Sequence, residues 1–406
     1  MQFKDKLTSS RSTGRVMKVQ EKHPIIANPN HDEDSRTKFV YQLSNYLRSD
    51  ITPNNEKIYK RKLLPEFIKK NGNKPQNRHQ VRKIMESDPQ YQITSALQRA
   101  SQEYMWSSVA DTVERQLPSM IDHYRKIKKD SNLGSLTLSN NLQIPSYLTE
   151  NHHHCMAGGY HTETREDDVA MGALYERGTF IYVDGNFGPK NDGLGVALSL
   201  FIKSKFDENK IKRILDIGCT VGASTVALKE FFPEAEVWGI DVSAPCLRYA
   251  HTRAEHLNVA VNFSQENAEK TSFADGYFDL VTSAAMLHET SKKATENIIK
   301  ESRRLLRHKG IMVHQEIQPY KNEDEWIDFT RDWDTYNNNE PYWGSLLDLN
   351  LAQTAKENGW FDDKVFTEIS FGPAEAKNIN PQVQANKVMG ASRGARGMNY
   401  LCGIKS

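Results

Sequence analysis

Four cysteines in 406 residues are too few and too scattered to staple this chain. Cys155, Cys219, Cys246 and Cys402 form no C-x-x-C pair, which argues against a disulfide framework or a cysteine-built metal site and for reduced, buried thiols. A charge excess is also missing. The 53 Lys and Arg nearly cancel the 52 Asp and Glu, leaving +1, whereas a general nucleic-acid binder carries a clear basic surplus. No apolar run is long enough to span a bilayer, and mean hydropathy is −0.68. Residues 1–24 lack the apolar stretch of a secretory signal. Their Lys4, Lys6, Arg11, Arg15, Lys18 and Lys22 read as a mobile basic tail rather than a transit peptide. These absences predict a soluble, cytoplasmic protein whose partners include neither nucleic acid nor membrane.

What is present is an ordered change of pattern along the chain. Residues 1–30 are polar and aperiodic and read as a flexible tail. Residues 31–132 carry helical periodicity and read as a helical domain. Trp106, Val109 and Val113 share one face there, and Pro118 is expected to interrupt that helix. Residues 133–210 are rich in glycine and aromatics, and read as a connecting segment lying over a site. From 211 the chain alternates strand and helix at βαβ spacing, with strands expected at 213–217, 236–240, 261–263, 278–283 and 311–316. A cap insertion at 317–363 follows, full of Trp, Tyr, Asp and Asn. Two late strands are expected at 365–371 and 398–404, with a polar loop, 372–397, between them. The fold class is α/β, a Rossmann-like, mostly parallel sheet with an N-terminal helical domain and a helical cap.

The first core strand ends in Asp216-Ile217-Gly218-Cys219-Thr220-Val221-Gly222. A glycine-bearing turn between a buried strand and a helix lets a ligand approach the backbone. The next strand ends at Asp241, 19 residues past Gly222, where such folds place a ribose-binding carboxylate. A dinucleotide fingerprint beginning at Gly218 would need glycine at 220 and 223; Thr220 and Ala223 stand there, so a ligand without a pyrophosphate fits better.

With I-L-D-I-G-C-T-V-G at 214–222 go G-I-D-V-S at 239–243, E-N-A-E at 266–269, Y-F-D-L-V at 277–281, M-L-H-E at 286–289 and R-R-L-L-R-H-K-G at 303–310. In this order the segment 211–320 resembles the class I S-adenosylmethionine-dependent methyltransferases, especially the ubiquinone and menaquinone biosynthesis branch. The resemblance implies a seven-stranded sheet with its last strand antiparallel, S-adenosyl-L-methionine as cofactor and a small-molecule acceptor. It implies that Asp216 and Gly218 face the methionine moiety while Gly222 shapes the loop. Asp241, with Val242 beside it, would hold the ribose, and Asn267 and Ala268 would flank adenine. Ser283 and Ala284 would lie near the sulfonium. Thr220 departs from the family's usual glycine, and Asn267 from a common aspartate.

Methyl transfer from a sulfonium needs alignment and exclusion of water, and a base only where the acceptor must lose a proton. His288 with Glu289 is the candidate base, against a packing role under the cap. Glu316 ends its strand facing the crevice, as a base, a cation ligand or a cap anchor. Tyr160, in Gly158-Gly159-Tyr160-His161, is expected over the cofactor or substrate, with loop packing as the alternative. His152-His153-His154-Cys155 lacks a second ligand cluster, so no metal is expected. Trp326, Trp333, Tyr336, Tyr342 and Trp343, with Glu325, Asp328, Asp332 and Asp334, offer either an aromatic, acidic box for a cationic or planar substrate or the packing face of the cap. A non-methylating cofactor binder is the alternative function, and a homodimer paired through the N-terminal helices is left open.

Overall fold

The protein was analysed as a computed structural model that describes residues 17–406 apart from 322–323, 362, 371 and 373–396. Most of the expected tail and most of the 372–397 loop therefore lie outside the described residues.

Among the described residues the core is one sheet of eight strands in the order β1-β4-β3-β2-β5-β6-β8-β7. In chain order these are β1 Ser135–Thr137, β2 Arg213–Ile217, β3 Glu236–Asp241, β4 Asn262–Gln265, β5 Phe278–Ala284, β6 Leu306–Glu316, β7 Lys364–Ser370 and β8 Met398–Ile404. Only β8 runs against its neighbours. Strands β2 and β5 are almost wholly buried, as strands covered by helices on both faces must be. The strand order reverses at β2, between β3 and β5, and a ligand crevice opens beyond the strand ends at such a switch point.

Two expectations need correction. The sheet has eight strands, not seven, because Ser135–Thr137 adds itself in parallel to β4, with Ser135 Oγ donating to Asn262 Oδ1 at 2.8 Å. A three-residue edge strand leaves no periodic signal. Nor does Pro118 break its helix, which runs unbroken over Pro89–Asp130. Proline removes one backbone donor there, but Val113, Leu117, Met120, Ile121 and Tyr124 are buried on both sides of it, and that packing holds the two halves together.

The helices before the core do not stand apart. His31–Tyr46 packs on the long helix, which packs on Ala170–Tyr182 and through it on the core helix Ala244–His256. A fully buried Glu176 joins these elements, accepting from Arg253 Nε at 2.9 Å and Tyr249 Oη at 2.5 Å, with His23 Nε2 at 3.0 Å. Among the described residues no helix is long and apolar enough to cross a membrane.

Candidate active site

The cleft at the switch point encloses about 1080 Å³ between its walls, open mouth included. One wall is the sheet's own edge: Asp216, Gly218, Thr220, Asp241, Val242, Asn267 and Ala268 all line it.

Local geometry explains this wall. Gly218 takes φ 66°, and a Cβ there would meet Met286 Cγ at 2.4 Å. Thr220, where the resemblance expects glycine, nevertheless adopts φ 44°; its N–H donates to Asp241 Oδ2 at 2.9 Å, and that bond helps hold an unfavourable conformation. Asp241 Oδ1 accepts from Ser243 N at 2.9 Å. The carboxylate thus keeps acceptor capacity for a ribose hydroxyl. Burial raises the Asp241 carboxyl to about 6 against the pull of these N–H donors. Burial raises Asp216 to about 7, although Thr225 Oγ1 donates to it at 2.7 Å. Two buried acids held back from ionising are suited to a ligand that brings donors and positive charge. Asn267 Oδ1 already accepts from Glu269 N at 2.9 Å, so an adenine amino group would share that oxygen.

Two residues assigned to the cofactor do not line the cleft. Gly222 caps the helix Ala223–Phe231 at φ 70°, where a Cβ would stand 2.8 Å from Phe263 Cζ; its role is backbone shape and packing. Ser283 is fully buried and bonded through Oγ to His314 Nδ1 at 2.8 Å, so its side chain serves the sheet interior.

The facing wall comes from elsewhere in the chain: Tyr147, Tyr160, Tyr175, Thr179 and Phe187, together with Ala284–Ala285–Met286 and Glu289. Tyr160 is pinned at both ends. Its carbonyl accepts from Ser243 Oγ at 2.6 Å, and its hydroxyl donates to Glu289 Oε1 at 2.7 Å. Tyr147 donates to Glu269 at 3.1 Å, which ties this wall to the adenine side. His154 links Glu289 to the cap: Nε2 lies 3.0 Å from Glu289 Oε1 and Nδ1 lies 2.8 Å from Glu340 Oε1. Burial opposes charge on His154, but Glu340 and Glu289 outweigh it and raise its pKa well above the ordinary imidazole value. Burial likewise disfavours ionised Glu289, yet the His154 hydrogen bond and charge hold it down at about 2. Sequence reasoning missed His154 as an ion-pair partner, and missed Glu340, Tyr147 and Tyr175 altogether.

His288 and Glu316 are not brought to the cleft surface. The turn Leu287–Glu289 points His288 inward, edge-on to Trp343 at 5.1 Å, with Nδ1 2.9 Å from Glu316 Oε2. Glu316 is fully buried and also accepts from Leu287 N at 2.6 Å. Burial alone would lower the His288 pKa, but Glu316 raises it to about 9. An imidazole that already holds its proton at neutral pH is no general base, and its carboxylate partner is Glu316 rather than Glu289. The aromatic box is not assembled either. Trp326 stacks on Tyr59 at 4.7 Å, Trp333 Nε1 donates to Ser95 at 3.2 Å, and Arg82 covers Tyr336 at 3.6 Å. Asp332 pairs with Arg78 and Arg82. These residues fasten the cap to the N-terminal helices.

Residues 214–310 match the family described as a methyltransferase domain. The chain carries a class I S-adenosylmethionine-dependent methyltransferase domain. Over 77 residues it is 42% identical to the demethylmenaquinone methyltransferase of Thermus thermophilus, covering 19% of this chain and 35% of that relative. Over 165 residues it is 28% identical to the ubiquinone/menaquinone biosynthesis C-methyltransferase of Burkholderia mallei, covering 39% of this chain and 65% of that one. The chain thus spans about one to two thirds of the length of these curated relatives. Among solved structures, phosphoethanolamine N-methyltransferase 2 of Haemonchus contortus in complex with S-adenosyl-L-methionine aligns over 57% of each chain, at 18% identity and a TM-score of 0.40. The sheet wall lies within or beside the matched residues 214–310, whereas Tyr147, Tyr160, Tyr175, Thr179 and Phe187 of the facing wall lie outside them.

Proposed function

We propose that the protein transfers the methyl group of S-adenosylmethionine to a small-molecule acceptor held in this cleft. The observation that carries the reading is Asp241. It stands at the end of β3 with both oxygens fixed by loop N–H groups and acceptor capacity left over, beside a glycine-lined approach at Gly218 and a second buried acid at Asp216. These residues fit the cofactor's donors. Asp241 would hold the ribose hydroxyls, Asp216 would lie by the cationic methionine end, and Asn267 and Ala268 would flank the base. Bound there, the cofactor supplies an already activated methyl group. The chain's part is to align an acceptor and keep water out, which the Tyr147–Tyr160–Tyr175 side of the cleft is shaped to do. All four cysteines are free, which suits a reducing compartment such as the cytoplasm.

Calorimetric titration with S-adenosylmethionine and S-adenosylhomocysteine should give saturable, one-to-one binding, and label from methyl-labelled S-adenosylmethionine should appear in small-molecule products. Absence of binding would overturn the site; binding without labelling of any acceptor would overturn the transfer.

A further inference from the structure

One feature of the cleft names the class of acceptor, provided the methyl-transfer reading holds. Glu289 is a carboxylate of the facing wall whose two oxygens differ. Oε1 takes both Tyr160 Oη at 2.7 Å and His154 Nε2 at 3.0 Å. Oε2 receives no hydrogen bond from any described residue, and Glu289, whose side chain is 14% exposed, lines the cleft. The carboxylate is therefore oriented on one side and open on the other.

The groups behind it keep this position negative. His154 bridges to Glu340, which is 1% exposed; Glu340 Oε2 accepts no hydrogen bond and stands 3.9 Å from His288 Nε2. His288 in turn pairs with Glu316. Two histidines thus face three glutamates. Burial and the nearby Glu340 raise Asp334 well above the carboxylate range. His154 holds Glu289 in place, and carboxyl groups outnumber the imidazoles that pair with them.

We propose that the acceptor is an amine whose nitrogen docks on Glu289 Oε2. A protonated amine sheds one proton to water at the cleft mouth. Its lone pair then forms the N–CH₃ bond as the S–CH₃ bond breaks, with the bonding pair left on sulfur. The positive charge passes from sulfur to nitrogen, so the total charge is unchanged while its location moves toward Glu289. A fixed carboxylate aimed where positive charge develops stabilises that transition state. Held at about 2, Glu289 is too weak a base to activate a hydroxyl or a carbon acid. A phenolate or carbanion would meet like charge there, which the same site disfavours.

The test uses the full chain, methyl-labelled S-adenosylmethionine and a small-molecule metabolite extract separated by cation exchange. Label should appear in basic, N-methylated products. Glu289→Gln should lower that labelling about 10²–10³-fold while S-adenosylmethionine affinity stays within about threefold, and Glu289→Asp should recover part of the rate. An unchanged melting curve for each variant separates this loss from misfolding. Label confined to O-, S- or C-methyl products, or undiminished N-labelling by Glu289→Gln, would overturn the amine assignment and leave the methyl-transfer reading standing. Failure of the wild type to bind the cofactor would overturn that reading itself.

Discussion

The two walls of the cleft differ in how they are built. On the sheet wall each functional group is fixed by its own neighbourhood: Asp241 by the N–H groups of Thr220 and Ser243, Asp216 by Thr225, Asn267 by Glu269 N. On the facing wall the fixing partners are distant in sequence. Tyr160 and Glu289 are 129 residues apart, and His154 and Asn338, beside Glu340, are 184 apart. A wall made by local backbone geometry suits a ligand common to many proteins. A wall made by long-range side-chain pairs can vary without disturbing the sheet, and so can set what this protein accepts.

Variants can break or sharpen that contrast. The largest effect after loss of Glu289 is expected from Asp241→Ala. Charge-assisted hydrogen bonds are worth about 1.5–3 kcal/mol, so S-adenosylmethionine affinity should fall about 10–100-fold by calorimetry. Unchanged affinity would remove the cofactor from the sheet wall. Gly218→Ala comes next. It forces alanine to φ 66° and drives its Cβ into Met286, where the two walls meet. A destabilisation of about 1–3 kcal/mol is expected in denaturant unfolding, with weakened cofactor binding; a silent substitution would mean that the turn can relax.

The smallest effect is one of pH. Asp241 and Asp216, raised to about 6 and about 7 chiefly by burial, are partly protonated below neutrality. Only the carboxylate form offers every lone pair to the cofactor's hydroxyl and cationic groups, so binding favours proton loss. Affinity should therefore rise from pH 5 to about 7.5, and binding near pH 6 should release a fraction of a proton, read from calorimetry in buffers of different ionisation heat. In the free protein the sign is reversed. A carboxyl raised on folding costs stability as pH climbs from its ordinary value near 4 through 6 and 7. No proton release would show these acids idle, and the two walls less different than their construction suggests.

How much of this is legible without coordinates follows from the range of the forces. The alternation of strand and helix from residue 213 and the acids toward the ends of β2 and β3 depend on hydrophobic runs and turns within about 25 residues of one another. The three residues of β1 were not legible, since Ser135–Thr137 becomes a strand only by lying beside Asn262–Ser264. Neither was the continuity of the helix through Pro118, because propensity argues for a break and burial on both sides of the proline overrules it.

The M-L-H-E motif shows the limit most clearly. The residues at 286–289 follow from the sequence, and so does their place just beyond β5. Which of His288 and Glu289 meets the cleft does not. Trp343, Glu316 and Glu340 draw the imidazole into the interior, while Tyr160 and His154 hold the carboxylate at the surface of the cleft. By itself the sequence determined a methyltransferase-like sheet and the acids of its cofactor wall, because local geometry suffices for both. Only the tertiary structure decided the facing wall, because its charges are set by burial and by partners more than a hundred residues away.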